Sequence, residues 1–253
     1  RHAILVMPRP ARHTSAMSPD LYHPACCSPL QCHWPLPQAL PGAHLVSCNF
    51  VAAQLQAEDF SRCGIEQPKG AAKRQSEFLA GRLCARHALL QLTGTPSVPS
   101  VAADRAPGWP AGVVGSISHS AGWALALVAA QSDWRGLGVD IEPLISPARA
   151  TRLQASILTP TELERLAHYP PEQQAWLVSL TFSLKESLFK ALYPLVQQRF
   201  YFLDAELLNH SAEGSAQLQL LRALGPDWPA GSRLHGQFEQ LGEYLLSLVS
   251  IPG

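Results

Sequence analysis

Residues 113–142 read VVGSISHSAGWALALVAAQSDWRGLGVDIE, and the class of the fold turns on them. Val113 to Ser118 and Trp123 to Ala130 are two strand-like runs. Ser120-Ala121-Gly122 lies between them and supplies a tight turn, so the pair predicts a hairpin. Leu137 to Glu142 predicts a third strand, closed by Pro143. These strands follow one another with no helix between them. Strands and helices are therefore mixed without regular βαβ alternation, and the class is α+β.

Working outward, His44 to Val51 (HLVSCNFV) reads as a strand by its β-branched content. Gly70 to Leu92 carries a broad helical face of Phe78, Leu79, Leu83, Leu89, Leu90 and Leu92, ended by Thr93-Gly94. Pro96 to Gly112 is a loop. Downstream, Thr159-Pro160-Thr161-Glu162 has the form of a capping box with proline at the first helical position. A further helix starts at Pro171-Glu172 and is expected to end at Tyr193, before Pro194. Arg199–Leu203, Leu218–Leu224 and Tyr244–Ile251 read as strands. The layout repeats faintly: each half opens with a strand, carries a long helix with basic residues, and closes with strands. Two pseudo-symmetric lobes are expected, 36–132 and 133–253, after a loosely ordered segment 1–35 in which Met7 and Met17 are candidate starts.

Composition narrows the function classes. The 253 residues carry 19 basic and 19 acidic side chains, and 47% are hydrophobic, enough for a sizeable core and unlike a disordered chain. A zero net charge argues against a general nucleic-acid binder. The longest apolar run, Trp123 to Ala130, is far short of the roughly 20 residues of a membrane span. Nothing addresses the chain outside the cytoplasm. Six cysteines fall at 26, 27, 32, 48, 63 and 84. Cys26, Cys27, Cys32 and His33 faintly suggest zinc, but no second paired-cysteine motif accompanies them, so buried or free thiols are expected.

Four constellations can carry chemistry, each with a plain alternative. Asp140 and Glu142 lie two apart on a strand and face one side, with Val139 and Ile141 on the other. Paired carboxylates suit a hard cation such as magnesium, or merely face water. Glu186 and Lys190 lie four apart on a helix whose stripe is Leu177, Leu180, Leu184, Leu188 and Ala191; the alternative is a surface ion pair. Two of only four lysines, Lys185 and Lys190, fall in this segment. Ser118 and His119 sit at the hairpin and can grip a phosphate or sugar, or satisfy turn backbone; as neighbours on a strand they make a poor catalytic pair. Arg82 and Arg86 share a helix face and can clamp phosphate, or lie in a solvated basic face. Gly81 costs that helix about 1 kcal/mol relative to Ala, which suggests a close approach.

GSISHS (115–120), GVDIE (138–142) and FSLKESLFKA (182–191), in this order and spacing, resemble the 4′-phosphopantetheinyl transferases. KRQSEFLAGRLCAR (73–86), RAPGWP (105–110) and RFYFLDAEL (199–207) are similar to the larger, pseudo-dimeric class, in its enterobactin-synthetase-activating branch and particularly its pseudomonad carrier-protein members. The resemblance covers residues 40 to 250. It implies two similar α+β lobes with coenzyme A in the cleft between them. It implies magnesium held by Asp140, Glu142 and Glu186. Glu186 and Lys190 would be catalytic, and Arg74, Arg82, Arg105, Ser118, His119 and Lys190 would bind coenzyme A. The implied reaction moves the 4′-phosphopantetheine arm to a serine of apo acyl, peptidyl or aryl carrier proteins and releases 3′,5′-ADP, in siderophore, nonribosomal-peptide or fatty-acid synthesis. A monomer with an internal pseudo-dimer is implied, with no nucleic-acid or membrane partner. Two other activities use the same residues: a magnesium-dependent hydrolase of coenzyme A or a related nucleotide, and a non-catalytic carrier-protein binding module. Leu144 to Pro160 holds Arg149 and Arg152 and no acid, which suits docking of an acidic partner, or is an ordinary interlobe loop and helix.

Overall fold

A computed structural model describes residues 22–253. In chain order its elements are β1 (Gln31–Cys32), β2 (His44–Asn49), α1 (Asp59–Cys63), α2 (Ala72–Thr93), β3 (Ser100–Val101), β4 (Pro107–Gly108), β5 (Val113–Ser120), β6 (Trp123–Ala130) and β7 (Trp134–Pro143). There follow α3 (Pro147–Ile157), α4 (Pro160–Leu166), α5 (Pro171–Val196), β8 (Ala205–His210), β9 (Ser215–Leu220), β10 (Arg233–Leu241) and β11 (Tyr244–Pro252).

The strands form two main antiparallel sheets, β1-β2-β6-β5 and β7-β11-β10-β9-β8, and β3 pairs with β4 in a two-stranded ribbon. The α+β expectation holds. The faint repeat has a physical counterpart. In each lobe a first strand is followed by a long helix and then a hairpin, whose second strand pairs with the first: β2-β6-β5 in one, β7-β11-β10 in the other. Each long helix, α2 or α5, packs across its own sheet.

Period-two alternation explains how the lobes join. On β6, Ala124, Ala126 and Val128 face Leu79, Leu83 and Leu89 in the core under α2. Leu125, Leu127 and Ala129 face the other way, into a second core shared with Leu137, Val139 and Ile141 of β7 and Leu246 and Leu248 of β11. Both faces of β6 are thus covered, which accounts for its unbroken apolar run. The opposite face of β7 carries Gly136, Gly138 and Asp140 toward α5. A Cβ on Gly138 would stand 1.8 Å from the Ser187 carbonyl oxygen, and one on Gly136 would stand 2.5 Å from that of Ala191. Glycine at both positions lets α5 lie directly on the strand.

The capping box is present: Thr159 Oγ1 accepts from Glu162 N at 3.2 Å, and Glu162 Oε2 accepts from Thr159 N at 2.7 Å. Other expectations are corrected. From Tyr22 onward the expected loose lead-in is folded: β1 covers the free edge of β2, and Cys26 and Cys27 are buried. Residues 1–21, with Met7 and Met17, lie outside the described residues. Helix α5 runs through Pro194 to Val196, because a proline in the last turn forfeits one backbone bond, and Gln197 closes it in the left-handed region (φ 51°). Arg199–Leu203 is a turn: Asp204 Oδ2 accepts from Tyr201 N at 2.8 Å and starts a short 3-10 turn before β8. The strand expected at Leu218–Leu224 is β9, ending at Leu220. Strand β10 was not expected, since buried Gly236 and Gln237 interrupt its alternation. Among the described residues no three His, Cys, Asp or Glu side chains stand close enough to hold a metal ion, and the six cysteines are free thiols.

Candidate active site

The crossing of β7 by α5, with β5 alongside, builds the site. Asp140 faces α5 and is 2% exposed. A carboxylate so deeply buried requires donors, and it has three. Ser118 Oγ donates to Oδ1 at 3.0 Å, Lys190 Nζ to Oδ1 at 2.8 Å, and Ser183 Oγ to Oδ2 at 2.9 Å. Lys190 also donates to Val139 O at 3.0 Å and to Ser118 Oγ at 3.1 Å. The expectation of a wet-face acid at 140 is therefore corrected, because the helix above the strand closes that face. Lys190 also pairs with Asp140 across on the strand, in place of the surface pair with Glu186.

Glu142 and Glu186 are half-buried. Ser120 Oγ donates to Glu142 Oε2 at 2.8 Å. Burial holds the Glu142 carboxyl above the usual carboxylate range, and the Asp140 charge adds to the rise. Burial likewise raises Glu186; Lys190 opposes the rise and Asp140 adds to it. The three carboxylates therefore feel one another and would gain from a cation. They do not form a closed three-ligand cage. That suits magnesium, which commonly takes one or two protein carboxylates and completes its shell with phosphate oxygens and water.

On the other side of β5, α2 meets that strand closely. A Cβ on Gly81 would stand 2.9 Å from Ile117 Cγ2 and 3.9 Å from the His119 ring, so the expected close approach is real. Arg82 is 5% exposed. Its Nη2 makes only a long bond to Ser100 O, 3.4 Å, its guanidinium lies over Phe78, and its Nε has no partner. An unpartnered buried guanidinium nitrogen is costly, and an anion would satisfy it. His119 is exposed, its Nδ1 3.9 Å from Glu77 Oε2. Arg105 is exposed at the β3–β4 turn with φ 72°, and Arg74 is exposed on the first turn of α2. Arg86, expected to share a clamp with Arg82, is instead spent on backbone: it donates to Cys63 O at 2.9 Å and to Tyr22 O at 3.4 Å. Ser118 is 4% exposed, and its hydroxyl is engaged with Asp140 and accepts from Ile141 N at 3.2 Å. It thus supports the acid rather than facing the cleft.

Several participants had not been singled out. Ser120 and Ser183 hold the acids. Lys185, one of the two lysines noted in this segment, is 3% exposed and paired with Glu162 Oε2 at 2.6 Å, seating α5 against α4. Asp104, beside Arg105, accepts from Ala106 N at 3.0 Å, which holds its carboxyl below the usual carboxylate range. A cavity of about 210 Å³ lies beside Glu186, walled by Phe189, Phe200, Tyr201 and Phe202 and rimmed by Arg199.

Residues 66–129 match the family described as the 4′-phosphopantetheinyl transferase N-terminal domain, and residues 136–249 match the 4′-phosphopantetheinyl transferase superfamily. Enterobactin synthase component D of Escherichia coli O157:H7 is 44% identical over 137 residues, 54% of this chain and 63% of the relative. The Salmonella typhi protein of that name is 39% identical over 165 residues, 64% of this chain and 67% of the relative. The 4′-phosphopantetheinyl transferase Svp of Streptomyces mobaraensis is 40% identical over 151 residues, 59% of this chain and 60% of the relative. The chain thus spans a little under two thirds of the length of the Escherichia coli relative.

Proposed function

The chain belongs to the 4′-phosphopantetheinyl transferase superfamily, in the branch of the enterobactin synthase component D relatives, and on that footing we propose that it transfers the 4′-phosphopantetheine arm of coenzyme A to a serine of apo carrier proteins. The observation that carries the reading is the meeting of Asp140, Glu142, Glu186 and Lys190 where α5 crosses β7, with His119 beside them on β5 and Arg82 on α2. The serine oxygen bonds to the phosphorus bearing the pantetheine, and the bond from that phosphorus to 3′,5′-ADP breaks. Glu186 takes the serine proton. Burial raises its carboxyl in the metal-free protein, and its place beside Asp140 and Lys190 suits a general base. Magnesium, held by one or two of Asp140, Glu142 and Glu186 and completed by phosphate oxygens and water, would supply charge neutralisation at the pyrophosphate. Lys190 contributes positive charge beside it, and Arg82, Arg105, Arg74 and His119 hold the 3′-phosphoadenosine end. Ser118 serves by orienting Asp140. The aromatic-walled cavity beside Glu186 offers room for the pantetheine arm.

The lobes at 36–132 and 133–253 act as an internal pseudo-dimer in a monomer. We place the enzyme in the cytoplasm; its six free thiols support a reducing compartment. Among the described residues no helix is long and apolar enough to cross a membrane. The test is the intact mass of apo acyl and peptidyl carrier domains after incubation with coenzyme A and magnesium chloride. The expected result is gain of one phosphopantetheine per domain, with 3′,5′-ADP released only when carrier is present. Release of the nucleotide without carrier would assign a hydrolase instead.

A further inference from the structure

Beneath Asp140 the core is unexpectedly polar. Ser183, Ser187 and Ser247 are all 0% exposed, on segments whose neighbouring Leu184, Leu188 and Leu248 are equally buried. The three hydroxyls form a chain. Ser183 Oγ lies 2.9 Å from Asp140 Oδ2, Ser247 Oγ lies 2.8 Å from both Ser183 Oγ and Ser187 Oγ, and Ser187 Oγ lies 3.1 Å from Ser247 O. Each hydroxyl has a single proton. Once Ser183 donates to an ionised Asp140, the contact with Ser247 requires the Ser247 proton, and the Ser187 proton is then shared between the hydroxyl and the carbonyl oxygen of Ser247. The protons of Ser183 and Ser247 then both point toward Asp140, with Ser187 donating to Ser247 behind them, and such aligned bonds strengthen one another.

Two further observations set this chain apart from ordinary buried serines. Ser179 and Thr181, on the same helix, donate to the carbonyls four residues back, the local habit of buried hydroxyls. Ser183 and Ser187 donate across to β7 and β11 instead. The second concerns the acid itself. A carboxylate offers about four acceptor positions. On Asp140, Ser118 and Lys190 take Oδ1, and Ser183 takes one position on Oδ2. The open position is on Oδ2, and the Ser183 bond helps to fix the carboxyl plane in which it lies. Close packing alone explains small residues here, since the Ser187 carbonyl nearly touches Gly138. It does not explain hydroxyls, because alanine would fit.

We propose that Ser183, Ser247 and Ser187 are positioning residues that aim the free lone pair of Asp140 at its cation. The proposal rests on the reading of Asp140 as a magnesium ligand. The test titrates coenzyme A into the full chain by calorimetry, with and without magnesium chloride, and follows transfer to an apo carrier domain. For Ser183→Ala the metal-dependent gain in coenzyme A affinity should fall about 10–100-fold, as is usual for residues supporting a metal ligand. Turnover should fall with it, while the Michaelis constant for carrier stays near wild type. Ser247→Ala and Ser187→Ala should lose less, in that order. Ser183→Ala with Ser247→Ala should be no worse than Ser183→Ala alone, because Ser247 acts only through Ser183. If Ser183→Ala does not fold, Ser187→Ala, farthest from Asp140, carries the test. Alanine variants that keep the full metal-dependent gain would overturn the proposal and leave packing as the role of these serines. A wild-type chain whose coenzyme A affinity ignores magnesium would instead bring down the metal reading, and this inference with it.

Discussion

Asp140 and Glu186 are both proposed ligands, yet they should answer differently to removal. Asp140 is fully buried and holds three donors, including Lys190. Asp140→Ala strands those donors and should abolish transfer while lowering stability by about 1–3 kcal/mol, the usual cost of orphaned buried groups. Glu186→Ala removes a half-buried carboxyl that burial already disfavours as an anion, so it should abolish transfer with melting unchanged or slightly raised. Transfer assays paired with thermal melts check both. The same burial sets a pH dependence. Glu142 and Glu186 have folded pKa values raised above their unfolded ones. From about 4.3 upward, to the raised values, the folded state binds more protons than the unfolded state. Stability of the metal-free protein should therefore fall as pH rises through that window. Glu142→Gln with Glu186→Gln should flatten the decline in melting temperature; an unchanged slope would remove these two groups as its source. Arg82 reads a different part of the ligand. Arg82→Ala should raise the Michaelis constant for coenzyme A more than for 3′-dephospho-coenzyme A. Equal losses on both would mean that it does not contact the 3′-phosphate.

At the scale of elements, the site depends on how closely α5 lies on β7. Gly138 permits the approach, and its replacement by alanine would drive a methyl into the Ser187 carbonyl. Backbone cannot rotate away as a side chain can. Gly138→Ala should therefore cost about 1–3 kcal/mol or more, the usual range for overpacking, and should lower transfer beyond the loss of folded protein, since Asp140, Ser183 and Lys190 span that crossing. Melting temperature together with turnover of the remaining folded fraction checks this. Gly81 plays the matching part in the other lobe, where α2 meets β5 at Ile117 and brings Arg82 and His119 to one rim. The Lys185–Glu162 pair fixes α5 from its far side, with Leu207 N also donating to Glu162 and Lys185 donating to Ile157 O at 2.9 Å.

At the scale of the whole molecule, the lobes meet without a shared backbone ladder. Serines of β5 bridge them instead: Ser116 Oγ accepts from Val139 N at 3.0 Å, Ser118 serves Ile141 and Asp140, and Ser120 donates to Glu142. Tyr244 OH donates to Ala121 O at 2.9 Å and pins the hairpin turn to β11. A carrier protein would approach the open side of this seam. Arg149 and Arg152 are exposed on α3, just after the strand that holds Asp140, whereas Leu158 is buried and not part of any docking face. Reversing both charges should raise the Michaelis constant for carrier, leave that for coenzyme A unchanged, and weaken the salt dependence of the reaction. Kinetics equal to wild type at low salt would move the docking face elsewhere.

Much of this was legible without coordinates, because it is written locally. The hairpin at 113–130, the strand at 137–142, the capping box at Thr159 and the stripe of α5 each depend on residues a few positions apart. The motif order was likewise enough to suggest the family. What lay beyond reach depends on which surface covers which. That Asp140 is buried follows from α5 lying over β7. That Lys190 serves Asp140, that Arg86 turns to backbone, and that Ser183 points across rather than back along its helix are choices among partners distant in sequence. Strand β10 escaped notice because Gly236 packs on Leu184 rather than alternating with polar neighbours. Periodicity reports which face of an element is apolar. Only the tertiary structure decides what meets the other face, and in this protein the acids, the lysine and their serines stand on that other face.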